Sequence, residues 1–219
     1  MTNENISKTN ILKLYGAVHI GDPQLYVCED AVNGDLMTFL SNEENQSLFW
    51  LMFLQVAQGL KALHSQGMVH GGLKCTNILV AEGNVVKLSD FGFSFIRGLS
   101  IELSNHKNKA MTESVRWKPK EMLQEVSDRN YRFASDVYSL GMCMIEAITQ
   151  EPPFGFEDDD EITNLIMEGN GHPRPDGVSD AAWGLISALC ATEYTERPSL
   201  DEAASMIREL AANGAGVGA

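Results

Sequence analysis

The stretch His70-Gly71-Gly72-Leu73-Lys74-Cys75-Thr76-Asn77 gathers an imidazole, an ammonium, a thiol, a hydroxyl and an amide within eight positions. Thirteen residues after Asn77 comes Asp90-Phe91-Gly92, at the end of an expected strand. Further on lie Arg116-Trp117-Lys118-Pro119-Lys120-Glu121, Ser135-Asp136-Val137-Tyr138-Ser139-Leu140-Gly141 and Glu196-Arg197-Pro198. Side chains of these types bind ions, pair charges and handle protons. Any one tripeptide arises by chance in roughly a few per cent of chains this long. Taken alone, Asp90 therefore reads as a turn residue. Five stretches in this order, each on a fitting element, carry more.

The elements that must position these residues are mostly helices. Residues 11–15 and 25–28 read as short strands joined by a Gly21-Asp22-Pro23 turn. Residues 35–41 read as a short helix after Asn33-Gly34. From 47 to 64 the apolar residues Phe49, Met52, Phe53, Val56, Leu60 and Leu63 fall at helical spacing. Leu48, Leu51 and Leu54 make that helix apolar over most of its surface, so it is expected to be buried. Residues 78–80 and 85–88 alternate around Glu82-Gly83-Asn84 as a hairpin. A stretch rich in Ser, Asn, Lys and Thr runs from 98 to 115 as a loop. Residues 135–149 form an almost continuously apolar helix, in which Met142 and Met144 are core filler. Acidic residues 157–161 stand before an apolar-periodic segment reaching 167, where they complement a helix dipole. A helix follows at 180–191, and Ser199-Leu200-Asp201-Glu202 opens the last one with capping-box chemistry.

Composition narrows the function classes. In 219 residues, 44% are apolar, enough for one core-bearing domain. The formal net charge of −14 argues against nucleic acid and against an anionic membrane surface as partners. Cys28, Cys75, Cys143 and Cys190 are far apart and form no CxxC pair, which reads as reduced, packed thiols in a cytoplasmic compartment. No apolar run is long enough to span a membrane, and the first residues do not read as a signal peptide.

In order and spacing the five stretches resemble the protein kinase signature set H-R-D-L-x-x-x-N, D-F-G and A-P-E. The resemblance covers residues 8 to 210. "VRWKPKE" and the His70-Gly71 pair look most like the tyrosine-kinase-like group of Ser/Thr kinases. It implies an α+β, protein kinase-like fold: a mainly helical C-terminal lobe with two short β-hairpins, the N-terminal lobe mostly absent. One domain is expected over residues 1–212, with a flexible tail at 213–219. The resemblance implies ATP and Mg2+ as cofactors. Asp90 and Asn77 match the metal ligands, and Lys74 matches the lysine that contacts the transferring phosphate. Cys28 matches the gatekeeper, the backbone of Glu29 to Ala31 matches the hinge that binds adenine, and Leu79 matches the apolar floor beneath it. His70 matches a structural histidine that, with Leu14, Phe91 and Asp136, forms a regulatory column. Glu121 and Arg197 match a buried ion pair.

Three departures from the pattern bear on activity. Gly72 stands where the family has its catalytic aspartate, and glycine can neither orient a substrate hydroxyl nor accept its proton. A positioned base typically contributes roughly 10²- to 10⁴-fold in rate. No G-x-G-x-x-G loop precedes residue 11, and neither the strand lysine nor its glutamate partner is found. Pro119-Lys120-Glu121 replaces A-P-E, and the proline restricts Lys118. In addition, Gly71 replaces the arginine that captures an activation-loop phosphate, which leaves a phosphate on Ser100, Ser104, Thr112 or Ser114 without that receiver. The expectation is a catalytically impaired, pseudokinase-like binding or scaffold module with weak or absent ATP binding and a protein partner such as another kinase. The alternative is an ATP-dependent Ser/Thr kinase of which this chain is a fragment.

Overall fold

A computed structural model describes residues 10–18, 25–90, 95–96, 115–124 and 132–214. The order is β1 (Leu14–Val18), β2 (Leu25–Cys28), α1 (Leu36–Ser41), a 3-10 segment (Glu43–Leu48), α2 (Phe49–Ser65), β3 (Met68–Val69), β4 (Ile78–Ala81), β5 (Val85–Leu88) and β6 (Phe95–Ile96). A 3-10 turn (Val115–Trp117) follows, then α3 (Lys120–Leu123), α4 (Phe133–Thr149), α5 (Asp159–Met167), α6 (Asp180–Leu189) and α7 (Leu200–Ala212).

The core is built on α2 and α4, whose apolar residues run around most of each helix. A helix apolar on all sides has no solvent face and must be enclosed by others. Every residue of α4 from Ser135 to Ala147 is buried. Helix α2 buries Phe49, Met52, Phe53, Val56 and Leu60 in the same core. Close approach depends on two glycines. A Cβ on Gly141 would meet the Cys190 sulfur at 2.4 Å, so glycine lets α6 lie against α4. A Cβ on Gly59 would meet Leu88 Cδ1 at 2.8 Å and the Asn10 carbonyl at 3.0 Å, which brings β5 onto α2.

Local chemistry fixes the element ends. Asp35 caps α1 and Ser179 caps α6. Ser199 and Glu202 form the reciprocal capping box of α7 expected from the sequence. Asp158 caps α5, with Asp159, Asp160 and Glu161 in its first turn.

The strands form three two-stranded antiparallel sheets, β1–β2, β3–β6 and β4–β5. The β4–β5 hairpin turns through Gly83 (φ 71°) and Asn84 (φ 60°), residue types that tolerate the left-handed region. Two expectations need correction. The first strand begins at Leu14 rather than at residue 11. Residues 10–12 are instead captured by the end of β5, through Leu88 N–H to the Asn10 carbonyl (2.9 Å) and Leu12 N–H to the Leu88 carbonyl (2.9 Å). The third pairing, Met68 with Ile96 and Val69 with Phe95, joins the two anticipated hairpins; strands of two residues carry no periodic signal. The Gly21-Asp22-Pro23 turn, Phe91, Gly92 and the four candidate phosphorylation positions from Ser100 to Ser114 lie outside the described residues.

Candidate active site and its supports

The loop from His70 to Asn77 leaves β3 with its backbone polar groups in need of partners inside the lobe. Asp136, at the start of α4 and 1% exposed, meets the first two of the loop's N–H groups. It accepts the N–H groups of His70 (2.8 Å) and Gly71 (2.9 Å), and its Oδ2 lies 2.7 Å from His64 Nε2. The His64 ring is stacked on Phe133, with centroids 4.4 Å apart. A buried carboxylate with three donors is satisfied, and its charge is held in place.

His70 is fully buried. Its Nε2 lies 3.1 Å from the Ser89 carbonyl, and Gly72 N–H lies 3.3 Å from its Nδ1. Both contacts are met by the neutral ring with its proton on Nε2. Burial pushes this imidazole below its ordinary pKa, against the opposing pull of Asp136. The sequence reading of His70 as a structural histidine thus has a geometric basis.

The loop is tied to the strand that carries Asp90. Asn77 Nδ2–H donates to the Gly72 carbonyl (2.8 Å), and Asn77 N–H donates to the Lys74 carbonyl (2.9 Å). The Asn77 carbonyl accepts both the N–H and the hydroxyl of Ser89, at 2.9 Å each. Asp90 follows Ser89 in left-handed backbone (φ 57°) with its side chain exposed. A non-glycine residue in that region is uncommon and marks a conformation that its surroundings enforce. The bonds made by Asn77 bring Gly72, Lys74 and Asn77 against Ser89, the residue before Asp90.

A second buried carboxylate, absent from the sequence-based site, holds the loop from below. Glu146 on α4 accepts Cys75 N–H (2.9 Å) and Trp117 Nε1–H (2.8 Å). Burial pushes its carboxyl above the ordinary range, partly countered by those two donors and by Lys74. The Cys75 thiol donates to the Cys143 carbonyl (3.3 Å), and burial pushes both thiols up. These two cysteines and Glu146 form a compact buried group whose members sit 68 and 71 positions apart in sequence. No local motif signals that meeting.

The segment that follows the expected hinge lies beside β4. Asn33 N–H donates to the Val80 carbonyl and Val80 N–H to the Gly34 carbonyl, which lays this segment along half-buried Leu79. Cys28 is exposed at the end of β2, and the Ala31 carbonyl closes a turn with Gly34 N–H (3.0 Å). Glu29 carries more than its backbone. Its carboxylate accepts Lys13 N–H (2.7 Å) and pairs with Lys87 (3.0 Å), a buried residue opposite Leu79 in the β4–β5 register. Burial pushes the Glu29 carboxyl up, but the Lys13 N–H and the Lys87 ammonium together outweigh it and leave the group below its ordinary pKa.

Of the expected regulatory column, Asp136 and His70 meet through the His70 N–H, and Leu14 stands on β1 with 58% of its surface exposed. The Glu121–Arg197 pair is present and buried. Arg197 Nη1 and Nη2 reach the two Glu121 oxygens at 2.6 and 3.1 Å, and Ser135 adds its hydroxyl at 3.0 Å. The same guanidinium donates to the carbonyls of Ala134, Ala191 and Thr192. Gly71 has φ 72°, so its backbone suits glycine for a reason the sequence did not reveal.

A family profile described as protein tyrosine and serine/threonine kinase matches residues 1–207. The chain is 31% identical over 193 residues to an Aurora kinase of Candida glabrata, covering 87% of this chain and 51% of that protein. It is 31% identical over 208 residues to ephrin type-A receptor 5 of Gallus gallus, covering 93% of this chain and 20% of that protein. Mitogen-activated protein kinase kinase kinase 1a of Physcomitrium patens is 30% identical over 203 residues, covering 90% of this chain and 25% of that protein. The chain thus spans between a fifth and about half the length of these relatives. The profile match over most of the chain, and the kinase loop resting on α4, lead to one assignment: this chain belongs to the protein tyrosine and serine/threonine kinase family.

Proposed function

We propose that the chain is a catalytically impaired kinase domain, a pseudokinase of the tyrosine-kinase-like Ser/Thr type, which acts in the cytoplasm as a binding or scaffold module in phosphorylation signalling. The observation that carries this reading is the absence of a carboxylate at Gly72 together with the commitment of the two buried carboxylates that hold the loop, Asp136 and Glu146. Asp136 is turned inward onto the N–H groups of His70 and Gly71, and Glu146 is held by Cys75 and Trp117. Neither is placed to take a proton from a substrate hydroxyl at Gly72. Among the described residues no helix is long and apolar enough to cross a membrane.

One observation favours a second reading, an ATP-dependent Ser/Thr kinase within a longer chain. Asn77 and Asp90 offer an amide and a carboxylate, the oxygen donors that a hard cation such as Mg2+ selects, and Lys74 stands on the same loop. Bound there, Mg2+ would neutralise phosphate charge. Asn77 and Asp90 would hold it, Lys74 would face the transferring phosphate, and Leu79 with the hinge backbone would receive adenine.

The deciding measurements are calorimetry with MgATP and a radiolabelled-ATP transfer assay on the 219-residue chain and on Asp90→Ala. The expected result is no transfer from either protein. Transfer by the parent chain that vanishes in Asp90→Ala overturns the pseudokinase reading.

A further inference from the structure

We infer that the loop joining α4 to α5 forms a docking surface for a protein segment that carries an apolar side chain between basic residues. The inference names the partner chemistry of the binding module proposed above and rests on that reading.

The first observation is the shape of the loop. It contains two non-glycine residues in left-handed backbone, Gln150 (φ 56°) and Phe154 (φ 66°), and Gly155 (φ 67°) follows. Left-handed backbone is rare for a bulky residue such as phenylalanine and persists only where the surroundings over-determine it. Here they do. Arg116 donates to the carbonyls of Pro153 (3.2 Å), Gly155 (2.6 Å) and Glu157 (2.6 Å), and it pairs with Asp159 at 3.2 Å. The Phe154 side chain is packed against the core, and its ring lies 5.0 Å from that of His172. The result turns Phe156 outward, 90% exposed.

The second observation is a cavity of about 400 Å3 in the same place. Pro152, Phe154, Leu165 and Pro173 give it apolar walls, and Glu151 and Glu157 stand at it. Its volume falls in the range that holds a bound apolar group. A single exposed phenylalanine is ordinary on a surface. An exposed phenylalanine on a fastened loop, beside a pre-formed apolar cavity, is a docking feature.

Charge selects the occupant. Glu151, Glu157, Asp158, Asp159, Asp160 and Glu161 are all exposed on or next to this loop. Among the described residues, Arg116 is engaged on loop carbonyls and Asp159, and Lys120 on Glu193. Burial pushes the His172 imidazole below its ordinary pKa, against the opposing pull of the Pro173 carbonyl. At physiological salt such a patch acts over about 8 Å, so it reaches a docked segment lying across the cavity. A basic segment gains from it, and an acidic segment or an anionic membrane is repelled. The apolar cavity adds the demand for an anchor side chain.

The test uses a fluorescein-labelled peptide with two leucines flanked on each side by arginines, followed by fluorescence anisotropy against the 219-residue protein. Saturable binding is expected, weakening as salt is raised. It should fall when the leucines become serines and vanish when the arginines become glutamates. Phe156→Ser should weaken it about tenfold or more, as truncation of an anchor contact does. The double variant Glu157→Lys/Asp160→Lys should do the same, whereas the equally charged control Glu44→Lys/Glu209→Lys should leave binding unchanged. All these positions are exposed, and an unchanged melting transition verifies folding. No saturable binding, binding indifferent to Phe156→Ser, or equal loss in both double variants overturns the inference. Sedimentation of the protein alone provides the remaining arm: a dimer that Phe156→Ser dissolves assigns the face to a second copy and overturns it too. Phosphoryl transfer is measured separately, so failure of the peptide to bind does not touch the pseudokinase reading. Transfer by the parent chain would bear on that reading alone.

Discussion

At the scale of single residues, two buried contacts set the response of the chain to mutation and to pH. Glu121 and Arg197 are 5% and 7% exposed, so removing the arginine leaves a carboxylate stranded in low dielectric. Such a loss typically costs about 3–5 kcal/mol. Arg197→Ala is expected to lower the urea midpoint strongly. Lys61→Ala breaks an exposed pair with Asp201 and should stay within about 0.5 kcal/mol of the parent. A small effect of Arg197→Ala would show that the pair does not secure the lobe. His70 governs the acid side. Burial lowers its folded pKa below the ordinary 6.5 of a histidine, so below pH 6.5 the unfolded chain takes up a proton that the native ring does not. Stability supplied by the neutral ring is fully present above 6.5 and is lost as pH falls from 6.5 towards the lowered folded value. The expected outcome is a stability–pH slope just below 6.5 that is reduced in His70→Gln. An unchanged slope would assign the acid sensitivity elsewhere.

At the scale of elements, the β1–β2 hairpin and helix α4 are opposites. The hairpin leaves Leu14, Tyr15 and Val27 more than half exposed, and its ties to the lobe include the Asn10–Leu88 pairing and the Glu29–Lys87 ion pair. A two-stranded hairpin is marginal in water by itself. Hydrogen exchange is therefore expected to show β1 and β2 opening long before α4; equal protection in both would contradict this. The same contrast explains what could be read from the sequence. Helices α2, α4 and α7 announce themselves through apolar periodicity and, for α7, through Ser199 and Glu202. The β4–β5 hairpin announces itself through Gly83 and Asn84. The start of β1 does not, because pairing of residues 10–12 with Leu88 is a tertiary choice that no local pattern encodes. The site shows the same division. Lys74, Asn77 and Asp90 are legible as motif residues, whereas the support from Glu146 and the Lys87 clamp on Glu29 depend on contacts 58 to 71 positions apart.

At the scale of the whole molecule, the loop that carries the site is one part of a larger assembly centred on α4. Phosphoryl transfer asks a protein mainly for positioning and for electrostatic stabilisation of the phosphates. Gly72→Asp in the 219-residue chain would supply a proton acceptor but no further clamp on the nucleotide, which would rest on Leu79 and the hinge. The variant is expected to remain inactive in a radiolabelled-ATP assay with a basic substrate. Activity gained by Gly72→Asp alone would show that the base was the one missing element. The Arg197 staple also has a meaning in time. Glu121 waits for a partner 76 positions further along, and α2 waits for α7. During synthesis the carboxylate leaves the ribosome long before its guanidinium exists. The packing around Glu121 and α2 must therefore wait, with apolar surface open to chaperones, until Arg197 and α7 emerge.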